Sequence, residues 1–238
     1  MLLLDGCVML TDRDEFIYHE MITHVPLFTH PSPERVLVIG GGDGGVVREA
    51  LRHSSVREVH LVEIDGEVID VSRKYFPAVA SGLDDSRVEV IVRDGFDHLD
   101  EHVDYYDVIM TDSIDPVGEA AKLFSDSFYA KARQSLRAGG VFVCQSESPY
   151  FHGDTMTKVR RTLGEVFSHA HSYLAHIPTY PSGMWSFTIA SDAHDPLLRQ
   201  PDFSPRFVSA LKYFSPEIYR AAFAIPPFSN VQETDKNR

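Results

Sequence analysis

Four carboxylates stand where a ligand crevice would lie. Asp43 interrupts a glycine run, Gly40-Gly41-Gly42-Asp43-Gly44-Gly45, and Glu63, Asp94 and Asp112 each follow or end a run of strand-forming residues. In open α/β sheets, ligands bind outside the carboxyl ends of the strands. Gly40, Gly42 and Gly45 satisfy a G-x-G-x-x-G spacing between an aliphatic run (35–39) and a helical pattern that opens at Val46. That order makes a nucleotide-binding turn, with glycine letting the backbone approach the ligand at a helix N-terminus. Asp43 would repel a pyrophosphate and attract an amine. Glu63 is placed to hold ribose hydroxyls, and Asp94 to meet an adenine amino group. An adenosyl sulfonium ligand with a cationic tail therefore fits better than NAD. The competing reading is that each acid only caps the helix after it, a common role for aspartate worth ~1 kcal/mol.

A second constellation is Asp112-Ser113-Ile114-Asp115-Pro116, two carboxylates three residues apart in a loop after a buried strand. With Tyr18, Tyr180 and Trp185 as candidate aromatic walls, the pair suits an amine substrate. An unperturbed aspartate titrates near ~3.9 and an alkyl amine near ~10.4, so Asp112 on its own chemistry is a poorly matched base. The twelve histidines form no H-E-x-x-H or similar pattern, and no metal is implied.

These residues need a scaffold of alternating elements. Strand patterns at 58–65, 87–92, 105–112 and 141–145 alternate with helical patterns at 46–51, 66–75, 124–136 and 154–167. This predicts a mostly parallel doubly wound sheet. Two last strands, 172–177 and 185–190, have no helix between them and predict an antiparallel edge hairpin, as in methyltransferase-like Rossmann folds. A hairpin around Asp5-Gly6 opens the chain, followed by a helix over 14–25 with Phe16, Ile17, Met21 and Val25 as its buried face. The expected organisation is a remnant N-terminal hairpin and lead-in helix (1–30), a Rossmann-like catalytic domain (31–195) and a packed C-terminal extension (196–238) whose last residues fray.

The 238-residue chain has a formal net charge of −13, with 35 acidic against 22 basic residues. That argues against nucleic acid and anionic membranes as partners. No apolar run approaches the ~18–20 residues of a membrane span, and the N-terminus lacks signal-peptide character. Cys7 and Cys144 read as thiols of a reducing compartment, so the expected location is cytoplasmic.

The chain resembles the spermidine synthase family of aminopropyltransferases. The motifs that carry the resemblance include Asp14-Glu15-Phe16-Ile17-Tyr18-His19-Glu20-Met21, Gly40-Gly41-Gly42-Asp43-Gly44-Gly45, Val62-Glu63-Ile64-Asp65 and Asp94-Gly95-Phe96. They continue through Thr111-Asp112-Ser113-Ile114-Asp115-Pro116 and Ile177-Pro178-Thr179-Tyr180-Pro181-Ser182-Gly183, spanning nearly the whole chain. The resemblance implies transfer of the aminopropyl group of decarboxylated S-adenosylmethionine, a co-substrate, to putrescine, giving spermidine and methylthioadenosine, with no prosthetic group. It implies Asp112 as proton acceptor, and Asp112, Ser113, Ile114 and Asp115 as the polyamine site. Tyr18 and Tyr180 become putrescine-side aromatics, and His19 and Asp43 contact amine groups. Gly40, Gly42, Asp43, Glu63, Asp94 and Gly95 hold the nucleoside. The expected assembly is a homodimer or homotetramer. Two departures stand out: the family's further N-terminal strand region, with a glutamine that touches the nucleoside, has no counterpart in this sequence, and Glu119 replaces a usual proline. The alternatives are a small-amine N-methyltransferase on the same fold and a truncated, catalytically silent homologue.

Overall fold

A computed structural model describes residues 1–4, 6–113 and 118–229. Ile114, Asp115, the turn residue Asp5, the Glu119 side chain and the terminal residues expected to fray lie outside what is described. The seven-stranded sheet has the order β5-β4-β3-β6-β7-β9-β8. Its strands are β3 (Arg35–Gly40), β4 (Glu58–Glu63), β5 (Val88–Val92), β6 (Tyr106–Asp112), β7 (Leu136–Gln145), β8 (His169–His176) and β9 (Met184–Ser191). Ladders among β3 to β7 are parallel, and β9 runs antiparallel between β7 and β8. A separate two-stranded hairpin joins β1 (Leu2–Leu4) to β2 (Cys7–Leu10). The predicted edge hairpin and parallel centre are thus both present.

The central strands read as continuous apolar runs because helices cover both faces. Val36, Leu37, Val38 and Ile39 of β3 are all buried, each contributing ~1.5–3 kcal/mol. One face packs α1 (Glu15–Thr29), α2 (Gly45–Ala50) and α3 (Gly66–Tyr75), the other α4 (Gly95–His98), α5 (Asp126–Ser135) and α6 (Gly153–Val166). Two short helices, α7 (Pro205–Val208) and α8 (Pro216–Ala221), lie in the C-terminal extension. No helix among the described residues is long and apolar enough to cross a membrane.

Two features of α1 depart from expectation. It continues through Pro26 to Thr29, because a proline forfeits only its own N–H bond while the turn around it persists; Thr29 Oγ1 donates back to Val25 O at 2.8 Å. It is also buried nearly all round rather than along one face, and Phe16 is only partly covered. The C-terminal extension closes over its outer side. There the Glu20 carboxylate, 2% exposed, accepts the backbone N–H groups of Lys212, Tyr213 and Phe214 at 2.9, 2.9 and 2.7 Å. Three donors satisfy a charge that would otherwise be costly to bury. Strand β7 starts at Leu136, five residues before the expected 141–145, and takes in Gly139 and Gly140 across a register shift against β6. The short helix α4 had no separate signal in the sequence.

Candidate active site

The carboxyl ends of β3, β4, β5 and β6 share one rim of the sheet, and β3 lies between β4 and β6, where the strand order reverses. A cavity of about 780 Å³ opens there, lined from the β1–β2 hairpin across the glycine turn to Asp94 and, at its other end, Tyr180 and Trp185. Of the predicted site residues, Tyr18, His19, Gly40, Gly42, Asp43, Glu63, Asp94, Gly95, Asp112, Ser113 and Tyr180 all line this one cavity.

The glycine turn is pressed against the residues it must serve. Gly40 has φ +78°, and a Cβ there would meet the Asp112 carbonyl oxygen at 2.1 Å; one at Gly45 would meet the His19 ring at 2.3 Å. Glycine is therefore required for contact with protein groups, before any ligand enters. Asp43 Oδ1 accepts Gly45 N–H at 2.6 Å, and Asp94 Oδ1 accepts Phe96 N–H at 2.9 Å. The capping reading thus holds for Asp94, the N-cap of α4, and in part for Asp43, which binds the first N–H of α2 from the position before its N-cap, Gly44. It leaves carboxylate lone pairs over for a second partner. Glu63 accepts Gly42 N–H at 3.1 Å and Asp65 N–H at 3.0 Å through its two oxygens. Burial pushes its carboxyl above the usual range.

At the amine end, Tyr18 O–H donates to Asp112 Oδ1 at 2.6 Å. The Tyr18 ring packs edge-on to Tyr180 at 5.8 Å, and Tyr180 lies 4.7 Å from Trp185. Tyr180 is fixed twice. Its hydroxyl donates to Met9 O at 2.6 Å, and its neighbour Thr179 donates N–H and Oγ1–H to Asp14, each at 2.8 Å. The buried Trp185 Nε1–H and Ser113 Oγ have no hydrogen-bond partner among the described residues. Both line the cavity.

The electrostatics come from burial and from charges behind the site. Burial, then the charge of Asp43, push the Asp112 carboxyl up to about 7, against the opposing pull of His19 and the Tyr18 hydrogen bond. The expectation of a poorly matched base fails for this reason. His19 lies between two carboxylates, with Nδ1 2.5 Å from Glu15 Oε2 and Nε2 3.3 Å from Asp43 Oδ1. Burial alone would lower its pKa, but Asp43 and Glu15 together raise it to about 10, so the ring is an imidazolium at neutral pH. Arg48 holds Glu15 in turn, at 2.9 and 3.1 Å. Although burial opposes it, His19 and Arg48 depress the Glu15 carboxyl to about 2.

Several lining groups escape sequence reasoning. Glu15 had a signal, its i,i+4 spacing to His19 on α1. Lys122 and Glu147 had none. Lys122, in the short helical segment Gly118–Phe124, forms an ion pair with Asp94 where an adenine amino group was expected. Glu147 has φ +71°, is 4% exposed and pairs with His152 Nδ1 at 3.2 Å.

A parallel sheet closed by an antiparallel hairpin, with an acid-lined glycine turn at its switch point, defines a methyltransferase-like Rossmann protein. The family description "Spermine/spermidine synthase domain" matches residues 15–202. Polyamine aminopropyltransferases of Shouchella clausii (strain KSM-K16) and Bacillus subtilis (strain 168) are 53% identical over 229 residues and 51% identical over 228; each alignment covers 96% of this chain and 82% of the relative. A spermidine synthase solved with the transition state analogue AdoDATO is 42% identical, with TM-score 0.89 over 95% of this chain and 78% of that one. A second, from Thermotoga maritima, is 41% identical, with TM-score 0.86 over 95% and 77%. The chain belongs to the spermine/spermidine synthase family.

Proposed function

We propose that this aminopropyltransferase moves the aminopropyl group of decarboxylated S-adenosylmethionine to putrescine, giving spermidine and methylthioadenosine. The observation that carries the reading is the buried Asp112 carboxyl, held by Tyr18 at 2.6 Å, between the glycine turn and an aromatic wall. Glu63 takes the ribose hydroxyls, Gly40 and Gly42 let the nucleoside lie close, and Asp94 with Gly95 faces the adenine. Its amino group takes the place on Asp94 that the Lys122 ammonium holds. Asp43 and His19 receive the aminopropyl tail. Asp43 presents its carboxylate to that tail, which favours an ammonium and disfavours the carboxylate that S-adenosylmethionine itself would bring.

The acceptor lies across Tyr18, Tyr180 and Trp185. Its nitrogen attacks the carbon attached to sulfur, forming C–N. The C–S bond breaks with its electron pair left on sulfur, and a proton passes from nitrogen to Asp112. Positive charge moves from sulfur to the amine, so a carboxylate beside the amine stabilises the transition state more than the ground state. A base near 7 is better matched to this proton transfer than one near 4. Ser113 offers its hydroxyl to the amine, and Ile114 and Asp115 follow it in the family's acceptor motif. The exposed Leu3 and the isolated β1–β2 hairpin support a homodimer or homotetramer that covers them.

Decarboxylated S-adenosylmethionine should be assayed against putrescine, cadaverine, agmatine and spermidine, with products identified by mass spectrometry. Spermidine plus methylthioadenosine, with putrescine the preferred acceptor, is the expected result. A methylated amine formed from S-adenosylmethionine, or no product from folded protein, overturns the proposal.

A further inference from the structure

Three groups of metal-ligating side chains occur among the described residues. The first, His19 with Asp43 and Asp112, belongs to the amine site. The second, His60 with His98 and His102, is satisfied internally. His60 Nδ1 and His98 Nε2 share the Tyr106 hydroxyl at 2.8 and 2.7 Å, His60 Nε2 faces Glu58 at 2.8 Å, and the His98 and His102 rings stack at 4.2 Å. The His60 and His98 nitrogens are thereby already engaged by Tyr106 and Glu58.

The third group is different. His169 and His171 alternate on β8, the outermost strand of the sheet, so both side chains project from one face. Asp195 crosses in front of them from the segment after β9. His171 Nε2 lies 3.3 Å from Asp195 Oδ1, and His169 Nδ1 lies 3.8 Å from Asp195 Oδ2. Both distances exceed the usual N–H···O length of about 2.9 Å. One ligand atom from each of the three residues lies within 4.8 Å of the others, near enough for an ion with bonds of about 2.0–2.1 Å to draw them together.

We propose that His169, His171 and Asp195 form a binding site for a divalent transition metal of the zinc class. Two imidazoles and one carboxylate suit such an ion, with water in the fourth position; calcium and magnesium prefer all-oxygen sets. None of the three residues lines the active-site cavity, so the role is structural. Asp195 begins the chain's path into the C-terminal extension: its carboxylate accepts Leu197 N–H at 2.9 Å, and its carbonyl accepts Leu198 and Arg199 N–H, each at 3.1 Å. A metal there would pin that path to the exposed strand of the sheet, where an open edge invites wrong pairing.

The test is calorimetric titration of Zn²⁺ into the chelator-stripped full-length chain, with melting temperature measured in parallel. One zinc per chain and a raised melting temperature are expected. His169→Ala and His171→Ala should weaken uptake by more than the ~10–100-fold that loss of an outer-shell partner costs, while aminopropyl transfer persists. Asp195→Asn, which keeps an acceptor for Leu197 N–H, guards against a folding failure and should also lose zinc. His98→Ala should bind as the parent does. The proposal is overturned if the parent takes up no stoichiometric zinc, if His171→Ala binds at parental affinity, or if His98→Ala is the variant that loses it.

Discussion

Asp112→Asn tests the proposed chemistry most directly. Asparagine keeps an oxygen at Oδ1 to accept the Tyr18 hydroxyl, now 2.6 Å away, so the aromatic wall stays in place while the proton acceptor is lost. A positioned general base contributes ~10²–10⁴-fold. A drop near ~10³ in kcat, or ~4 kcal/mol of barrier, is expected, with nucleoside affinity retained. The pH dependence is sharper evidence. In the parent, the reacting form needs Asp112 ionised, with pKa about 7, and the amine neutral, with pKa ~10.4. Below pH about 7 the logarithm of kcat/KM for the amine should rise with a slope of about two, and above it with a slope of about one. The variant should show about one throughout. Stability supplies an independent reading. A carboxyl raised in the folded state costs nothing below its unfolded pKa of 3.8, and its penalty grows as pH rises through about 7. Asp112→Asn should therefore melt higher than the parent at pH 8 and no higher at pH 4. Near-normal turnover, or a parental slope that does not change near pH 7, would refute the assignment of Asp112 as the base.

Two further substitutions separate selectivity from architecture. Asp43→Asn should narrow the preference for decarboxylated over intact S-adenosylmethionine by about tenfold, ~1.4 kcal/mol, in paired affinity measurements; an unchanged ratio would count against Asp43 as the selector. Glu20→Gln weakens the carboxylate that gathers three backbone N–H groups of the extension and should cost ~2 kcal/mol. Limited proteolysis should then cut near residues 212–214 first, and an unchanged pattern with unchanged melting would show that the clasp contributes little.

The parallel order of elements was legible in the sequence because it depends on local signals: apolar runs, turn glycines and helical spacing, repeated in alternation. The rim of acids was legible for the same reason, since Glu63 and Asp112 end strands and Asp43 and Asp94 follow closely after others. Boundaries set by packing were not. Helix α1 passes Pro26 and is covered on its outer side because Lys212, Tyr213 and Phe214 fold back onto Glu20, remote contacts that periodicity cannot register. Lys122 reaches Asp94, and His169 and His171 face Asp195, only once distant segments are brought together.

What the sequence by itself determined is the inventory: a glycine turn with a carboxylate inside it, acids at the strand ends, tyrosines to wall an amine, and the family whose motifs these are. What only the tertiary structure decided is the state in which those groups meet a substrate. Asp112 becomes a base near neutrality because burial and the charge of Asp43 raise it, and His19 a fixed cation because Asp43 and Glu15 outweigh its burial. Ionisation depends on surroundings in three dimensions, and residue identity fixes only its starting value.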